Sequence, residues 1–201
     1  MREQRTLVWR GLDAWRAEYA DVTLYADRLL ARGTQLGIEP LPYRLSYALD
    51  TSPPDFRTAR LTVDAAGERW SRRLDLLRDP DGNWHVSGDA GGEVGLPEPG
   101  GDPSSFAEAL DCDLGLCPLT NAMPVLRHGL AGGGGEPRDF TMAWVSVPDL
   151  TVSRSAQRYE PVRQGVVRYV DDHFSAELEL DSDGLVLRYP DLAERVSSGA
   201  A

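Results

Sequence analysis

Two stretches of this chain alternate apolar and polar residues with a period of two. Tyr43, Leu45, Tyr47 and Leu49 are separated by Arg44, Ser46 and Ala48. Phe174, Ala176, Leu178 and Leu180 alternate with Ser175, Glu177, Glu179 and Asp181. Successive side chains of a strand point to opposite faces, so each stretch reads as a strand with one buried face. Further strands are expected at 6–11, 57–64, 68–77, 84–88, 140–147, 165–170 and 184–189. The 20 Gly and 14 Pro favour many strands and turns over helices. Phe140, Met142 and Trp144 lie on one face of the 140–147 segment, and Ala143, Val145 and Val147 on the other. Such a strand is expected to be covered on both sides.

Turn signals separate these segments. Asp79-Pro80-Asp81-Gly82 precedes Trp84, and Asp181-Ser182-Asp183-Gly184 reads as a hairpin. Its carboxylates lack the spacing of a calcium loop. One helix is expected near 120–130. Thr120 and Asn121 suit its N-cap, Pro124 its first turn, and Met123, Leu126 and Leu130 its buried face. Asp102-Pro103-Ser104-Ser105 starts a second short turn. Residues 26–32 fit neither pattern cleanly, and Pro190 opens a last turn at 190–196. The stretches 88–105 and 131–137 are loops rich in Gly and Pro. A single domain over 1–201 is the simplest organisation.

Charge excludes several chemistries. All 21 basic residues other than His are Arg, and Lys is absent. A Schiff-base lysine, a pyridoxal-phosphate site and a Walker-type phosphate loop are therefore excluded. A net charge of −11 argues against nucleic acid as a partner. No apolar run reaches the length of a membrane helix, and the N-terminus has no signal-peptide pattern, so the expected compartment is the cytoplasm. Cys112 and Cys117 are then expected to be free thiols. With His128 they make only a weak metal pattern, and His85 and His173 add no ligand spacing. No G-x-S-x-G turn occurs. No metal, cofactor or catalytic residue is expected.

The block Asp111-Cys-Asp-Leu-Gly-Leu-Cys-Pro-Leu-Thr-Asn-Ala-Met-Pro-Val-Leu-Arg127 is more particular. It resembles the signature of the putative glycolipid-binding family of bacteria, D-x-D-L followed by T-P-x-T-N-x-L-P and a basic residue. Further elements fall in the family's order: Tyr47 with Asp50, Phe56-Arg57-Thr58, Asp81-Gly-Asn-Trp84, Val147-Pro-Asp-Leu150, Gln157-Arg-Tyr159, Arg168-Tyr169, and Asp183-Gly-Leu-Val then Tyr189-Pro190. Cys117 stands where the family usually has Thr, Met123 where it has Leu, and Phe56 where it has Trp. The resemblance implies a mainly β fold, a spiral β-roll, in which a long curved antiparallel sheet wraps around one central α-helix. It also implies a homodimer and a glycolipid or other amphiphile as ligand.

The expected function is therefore non-catalytic binding of an amphiphile in an apolar cavity of the curved sheet. Tyr47, Phe56, Trp84 and Trp144 are the candidate walls, and Asp113, Thr120, Asn121, Arg127, Gln157 and Tyr159 the candidate polar contacts. Arg127 could instead pair with Asp111 or Asp113. The alternatives are a homodimeric scaffold whose interior is filled by its own side chains, and a hydrolase of a lipid-like or sugar-like substrate. An open cleft holding a carboxylate of raised pKa would favour the hydrolase.

Overall fold

The computed structural model describes residues 2–172 and 174–196; the expected non-ligand His173 lies outside them. Its strands are β1 (Glu3–Gly11), β2 (Arg16–Leu24), β3 (Leu29–Gly37), β4 (Tyr43–Ser52), β5 (Arg57–Gly67), β6 (Trp70–Arg78), β7 (Trp84–Gly91), β8 (Asp111–Leu114), β9 (Arg138–Val145), β10 (Val152–Arg163), β11 (Val166–Val170), β12 (Ser175–Leu180), β13 (Val186–Tyr189) and β14 (Ala193–Arg195). They form one sheet in the order β7-β6-β5-β4-β3-β2-β1-β14-β13-β12-β11-β10-β9-β8. Two meanders are thus joined where β1 meets β14, with Trp9 opposite Arg195 and Gly11 opposite Ala193. Every pairing is antiparallel except β8 with β9.

The sheet curls until its far strands meet. In the strand order β5 is third and β8 is last. Yet Thr58 of β5 donates its N–H to Leu110 O at 3.1 Å, and its Oγ1 accepts from the Cys112 N–H at 2.9 Å. Inside the curl lies helix α1 (Ala122–His128), preceded by a 3-10 turn over Pro118–Asn121. Met123 packs with the Trp9, Trp70 and Trp84 core of the first meander. Val125 packs with Tyr159, Val167 and Leu178 of the second. One short apolar helix therefore supplies both inner faces with packing partners, which is why the curved sheet closes around it. Gly129, at φ 60°, ends the helix in the left-handed conformation that glycine adopts without strain.

The strands expected from alternation are present. The segment 26–32 resolves into the start of β3. The turn expected at 190–196 contains the short strand β14. The turn at Asp102 is a 3-10 turn over Pro103–Phe106, capped by the Asp102 side chain on the Ser104 N–H at 2.9 Å. The two-sided covering of β9 holds at Met142 and Ala143, but Trp144 is 37% exposed.

Capping by Thr120 and Asn121 is not what the structure shows. Asn121 already has helical φ and ψ of −64° and −18°, because the 3-10 turn leads into the helix, and its side chain caps nothing. A capping side chain needs an extended residue there. Both side chains are turned instead to β8 and β10, as described next.

Candidate functional site

Strand β8 carries two buried or half-buried carboxylates two residues apart, and their environments differ. Asp111 is 1% exposed and forms a two-pronged ion pair with Arg127, whose Nη1 donates to Oδ2 at 2.8 Å and whose Nη2 donates to Oδ1. Arg127 Nε donates to Asp55 O at 2.8 Å. This pair ties α1 to the strand beneath it. Burial pushes the Asp111 carboxyl up, and Arg127 opposes that shift.

Asp113 has no such cation. Its Oδ1 accepts from Thr120 Oγ1 at 2.8 Å and its Oδ2 from Gln157 Nε2 at 2.7 Å. Burial raises its pKa, and these two neutral donors only partly offset it. Next to it, the Tyr159 hydroxyl donates to Asn121 Oδ1 at 2.8 Å. Four of the expected polar contacts, Thr120, Asn121, Gln157 and Tyr159, are thus gathered around Asp113 in one network. They come from the 3-10 turn and from β10, where Gln157 and Tyr159 share the inward face.

A half-open cleft of about 270 Å³ lies over this network. Asp113, Asn121, Ser146 and Asp171 supply its polar lining. Leu114, Leu116, Val147 and Leu192 supply its apolar lining. Trp144 flanks it from β9, paired in register with Asp113. Tyr169 and Tyr189 line it with ring centroids 5.9 Å apart. The Tyr169 hydroxyl donates to Asp171 Oδ2 at 2.9 Å. Leu116, at φ 61°, also lines a second, more apolar groove of about 260 Å³ beside Trp15, Ile38 and Pro40. Trp15 is 60% exposed and Ile38 47% exposed.

The remaining expected walls sit elsewhere. Trp84 is in the packed interior, its indole N–H donating to Ala109 O at 3.0 Å and its ring edge-on to Phe106. Phe56 is also buried there, at φ 61°. Tyr47 packs over Gly33 on the neighbouring strand and donates to Glu18 Oε1 at 2.7 Å. A Cβ on Gly33 would come within 2.3 Å of that ring, so glycine is what lets the tyrosine lie flat there. Arg127 serves the ion pair. Of the four aromatic walls, Trp144 alone borders the cleft.

Sequence reasoning passed over Glu18, Leu116, Ser146, Asp171, Tyr169 and Tyr189. The two tyrosines were visible as matches to the family's order, yet only the sheet order, with β11 and β13 on either side of β12, brings them to one place. Glu18 is a buried acid. Its Oε1 also accepts from Cys117 Sγ at 3.1 Å and its Oε2 from Gln35 Nε2 at 3.0 Å. Burial pushes its pKa up to about 7. Both cysteines are free and buried. Burial raises Cys112 to about 12 and Cys117 well above the usual thiol range. Neither is a thiolate near neutral pH, so neither has the activated form of a nucleophile. Among the described residues no group of three or more His, Cys, Asp or Glu is arranged to hold a metal ion. No helix among them is long and apolar enough to cross a membrane.

The chain resembles a solved structure of a DUF1089 family protein from Pseudomonas aeruginosa, with a TM-score of 0.72 and 26% identity. The likeness covers 94% of this chain and 95% of that one. No curated protein matches this chain. Residues 6–195 match the family described as "Putative glycolipid-binding", which spans the meanders, the central helix and the cleft, and the chain belongs to that family.

Proposed function

We propose that this protein binds a glycolipid-like amphiphile without acting on it chemically, with the polar head in the Asp113 cleft. The observation that carries this reading is the cleft's composition. A polar floor and three aromatic side chains meet an apolar rim that continues over Leu116 into the Trp15–Ile38 groove. Specific small-molecule sites combine a mostly apolar wall with a few placed polar groups in this way. At about 270 Å³ the cleft suits one sugar-sized head group rather than a whole lipid. The tail would lie along the adjoining groove, whose exposed tryptophan is the residue type that sits where apolar and wet surfaces meet. The family's description supports a glycolipid as the ligand class.

The test is native mass spectrometry of protein purified from its own host, followed by extraction of bound lipid. A stoichiometric lipid on the wild type, lost when Leu116→Asp puts a charge at the residue that lines both cleft and groove, is the expected result. Lipid-free protein that takes up no amphiphile on addition contradicts the reading.

One observation favours a hydrolase instead. Asp113, whose pKa burial raises, shares the half-open cleft with Asp171, and a pair of carboxylates is the equipment of glycoside hydrolysis. Both oxygens of Asp113 are, however, already engaged by Thr120 and Gln157, which hold it as an acceptor. Release of sugar from an alkyl glycoside, abolished by Asp113→Asn, would establish the hydrolase and overturn binding alone.

A further inference from the structure

We infer that the head group this cleft accepts carries an ammonium, as on an amino sugar. The inference rests on the amphiphile-binding reading and specifies the chemistry of that same cleft. It starts from the contrast within β8. Asp111 has Arg127 as its counter-charge, whereas Asp113, two positions on, is held by the neutral groups of Thr120 and Gln157. A carboxylate taken out of water is ordinarily paired with a cation. Among the described residues no Arg or His lines the cleft, and the chain has no Lys to supply one. The position facing Asp113 therefore calls for a cation from outside the chain.

A second observation points to the same ligand. Tyr189 is 7% exposed and lines the cleft, but its hydroxyl makes no hydrogen bond among the described residues. Its ring lies against Tyr169 and Phe174, so the hydroxyl is held at the end of a fixed aromatic stack. A phenol oxygen left open in a cleft can accept from an N–H donor. A primary ammonium has three N–H donors and no acceptor. Asp113 and the Tyr189 oxygen would take two of them, and Trp144, which also lines the cleft, is the residue type that most favours a nearby cation. An anionic head would be repelled by Asp113, whose partners are neutral.

The test is calorimetric titration at pH 7 with four probes of equal chain length, each below its micelle concentration. They are octyl glucoside, octyl glucosaminide, octyltrimethylammonium and octyl sulfate. The glucosaminide is expected to bind at least about tenfold more tightly than the glucoside, the size of one charge-assisted hydrogen bond. That advantage should shrink as salt is raised and fall to about one in Asp113→Asn. The trimethylammonium probe separates the two sources of the charge. Binding weaker than that of the glucosaminide supports an amino sugar, and tighter binding overturns the sugar in favour of a choline-like head. Equal affinity for glucoside and glucosaminide, or octyl sulfate as the tightest ligand, overturns the ammonium while leaving amphiphile binding in place. Should Asp113→Asn fail to fold, Tyr189→Phe and the salt series on the wild type test the same contacts. Failure of all four probes to bind contradicts both the ammonium and the amphiphile reading.

Discussion

Replacing Arg127 with Met is expected to lower the unfolding free energy by about 3–5 kcal/mol. The reason is the carboxylate left behind. Asp111 is 1% exposed, and the Arg127 side chain is itself only 5% exposed. Removing the guanidinium strands a charge that water cannot reach. The ion pair as a whole is a weaker contributor, because taking both charges out of water costs much of what their attraction returns. The double replacement of Asp111 by Leu and Arg127 by Met is therefore expected to recover most of the loss. Urea unfolding of the two single variants and the double variant measures this cycle. Additive losses would mean that the two side chains act independently.

The second large effect depends on pH. The Glu18 carboxyl is raised from 4.5 to about 7 by burial, against the hydrogen bonds of Tyr47, Cys117 and Gln35 and the charge of Arg16. A raised acid holds its proton in the folded state after the unfolded chain has lost it. Its contribution is thus fully present below about pH 4.5, declines between 4.5 and about 7, and stays lost above that. At about 1.4 kcal/mol for each pKa unit, the span corresponds to about 3 kcal/mol. Glu18→Gln places an uncharged amide of the same shape in the site. Gln35 Oε1, buried and without a partner, can accept from the new amide if the Gln35 side chain turns over. Relative to wild type, the variant is expected to gain about 2–3 kcal/mol between pH 5 and pH 8, read from paired urea midpoints. Parallel pH profiles would show that Glu18 does not titrate in this range.

The same residues explain why part of the fold was legible in the sequence and part was not. Strands β4 and β12 were plain because Tyr43, Leu45, Tyr47 and Leu49, and Ala176, Leu178 and Leu180, put apolar side chains on every inward position but that of Thr51. Strand β2 escaped because its first two inward positions are Arg16 and Glu18. In β3 the inward positions include Gly33, Gln35 and Gly37, and in β10 Gln157. Polar and side-chain-free residues on a buried face erase the apolar alternation that marks a strand. They are tolerated because partners on neighbouring elements satisfy them: Glu18 holds Gln35, and Asp113 holds Gln157. No reading of one segment alone can see such partners.

The site divides in the same way. The Asp111–Arg127 block announced itself, and its ion pair and the Thr120–Asp113 contact lie within that stretch. Ser146, Asp171 and Tyr189 joined the cleft only through the path of the sheet, which brings β9, β11 and β13 past the start of α1. Trp84 and Phe56 looked like walls because aromatics suit a cavity, but they equally suit a core, and residue type alone does not separate the two. The helix was placed correctly in the chain while its N-cap was not. The difference came from the Pro118–Asn121 turn, which makes Asn121 helical before the helix begins.

The proposed binding of an amphiphile centres on the Asp113 cleft as the place for its head. Its most direct test is a nuclear magnetic resonance titration of isotope-labelled protein with octyl glucosaminide. The account predicts saturable shifts of the Trp144 indole, the Leu116 and Val147 methyl groups and the Tyr189 ring, with the Trp84 indole unmoved in the core. Shifts centred on Trp84 and Phe56, or a protein whose spectrum does not respond, would contradict it.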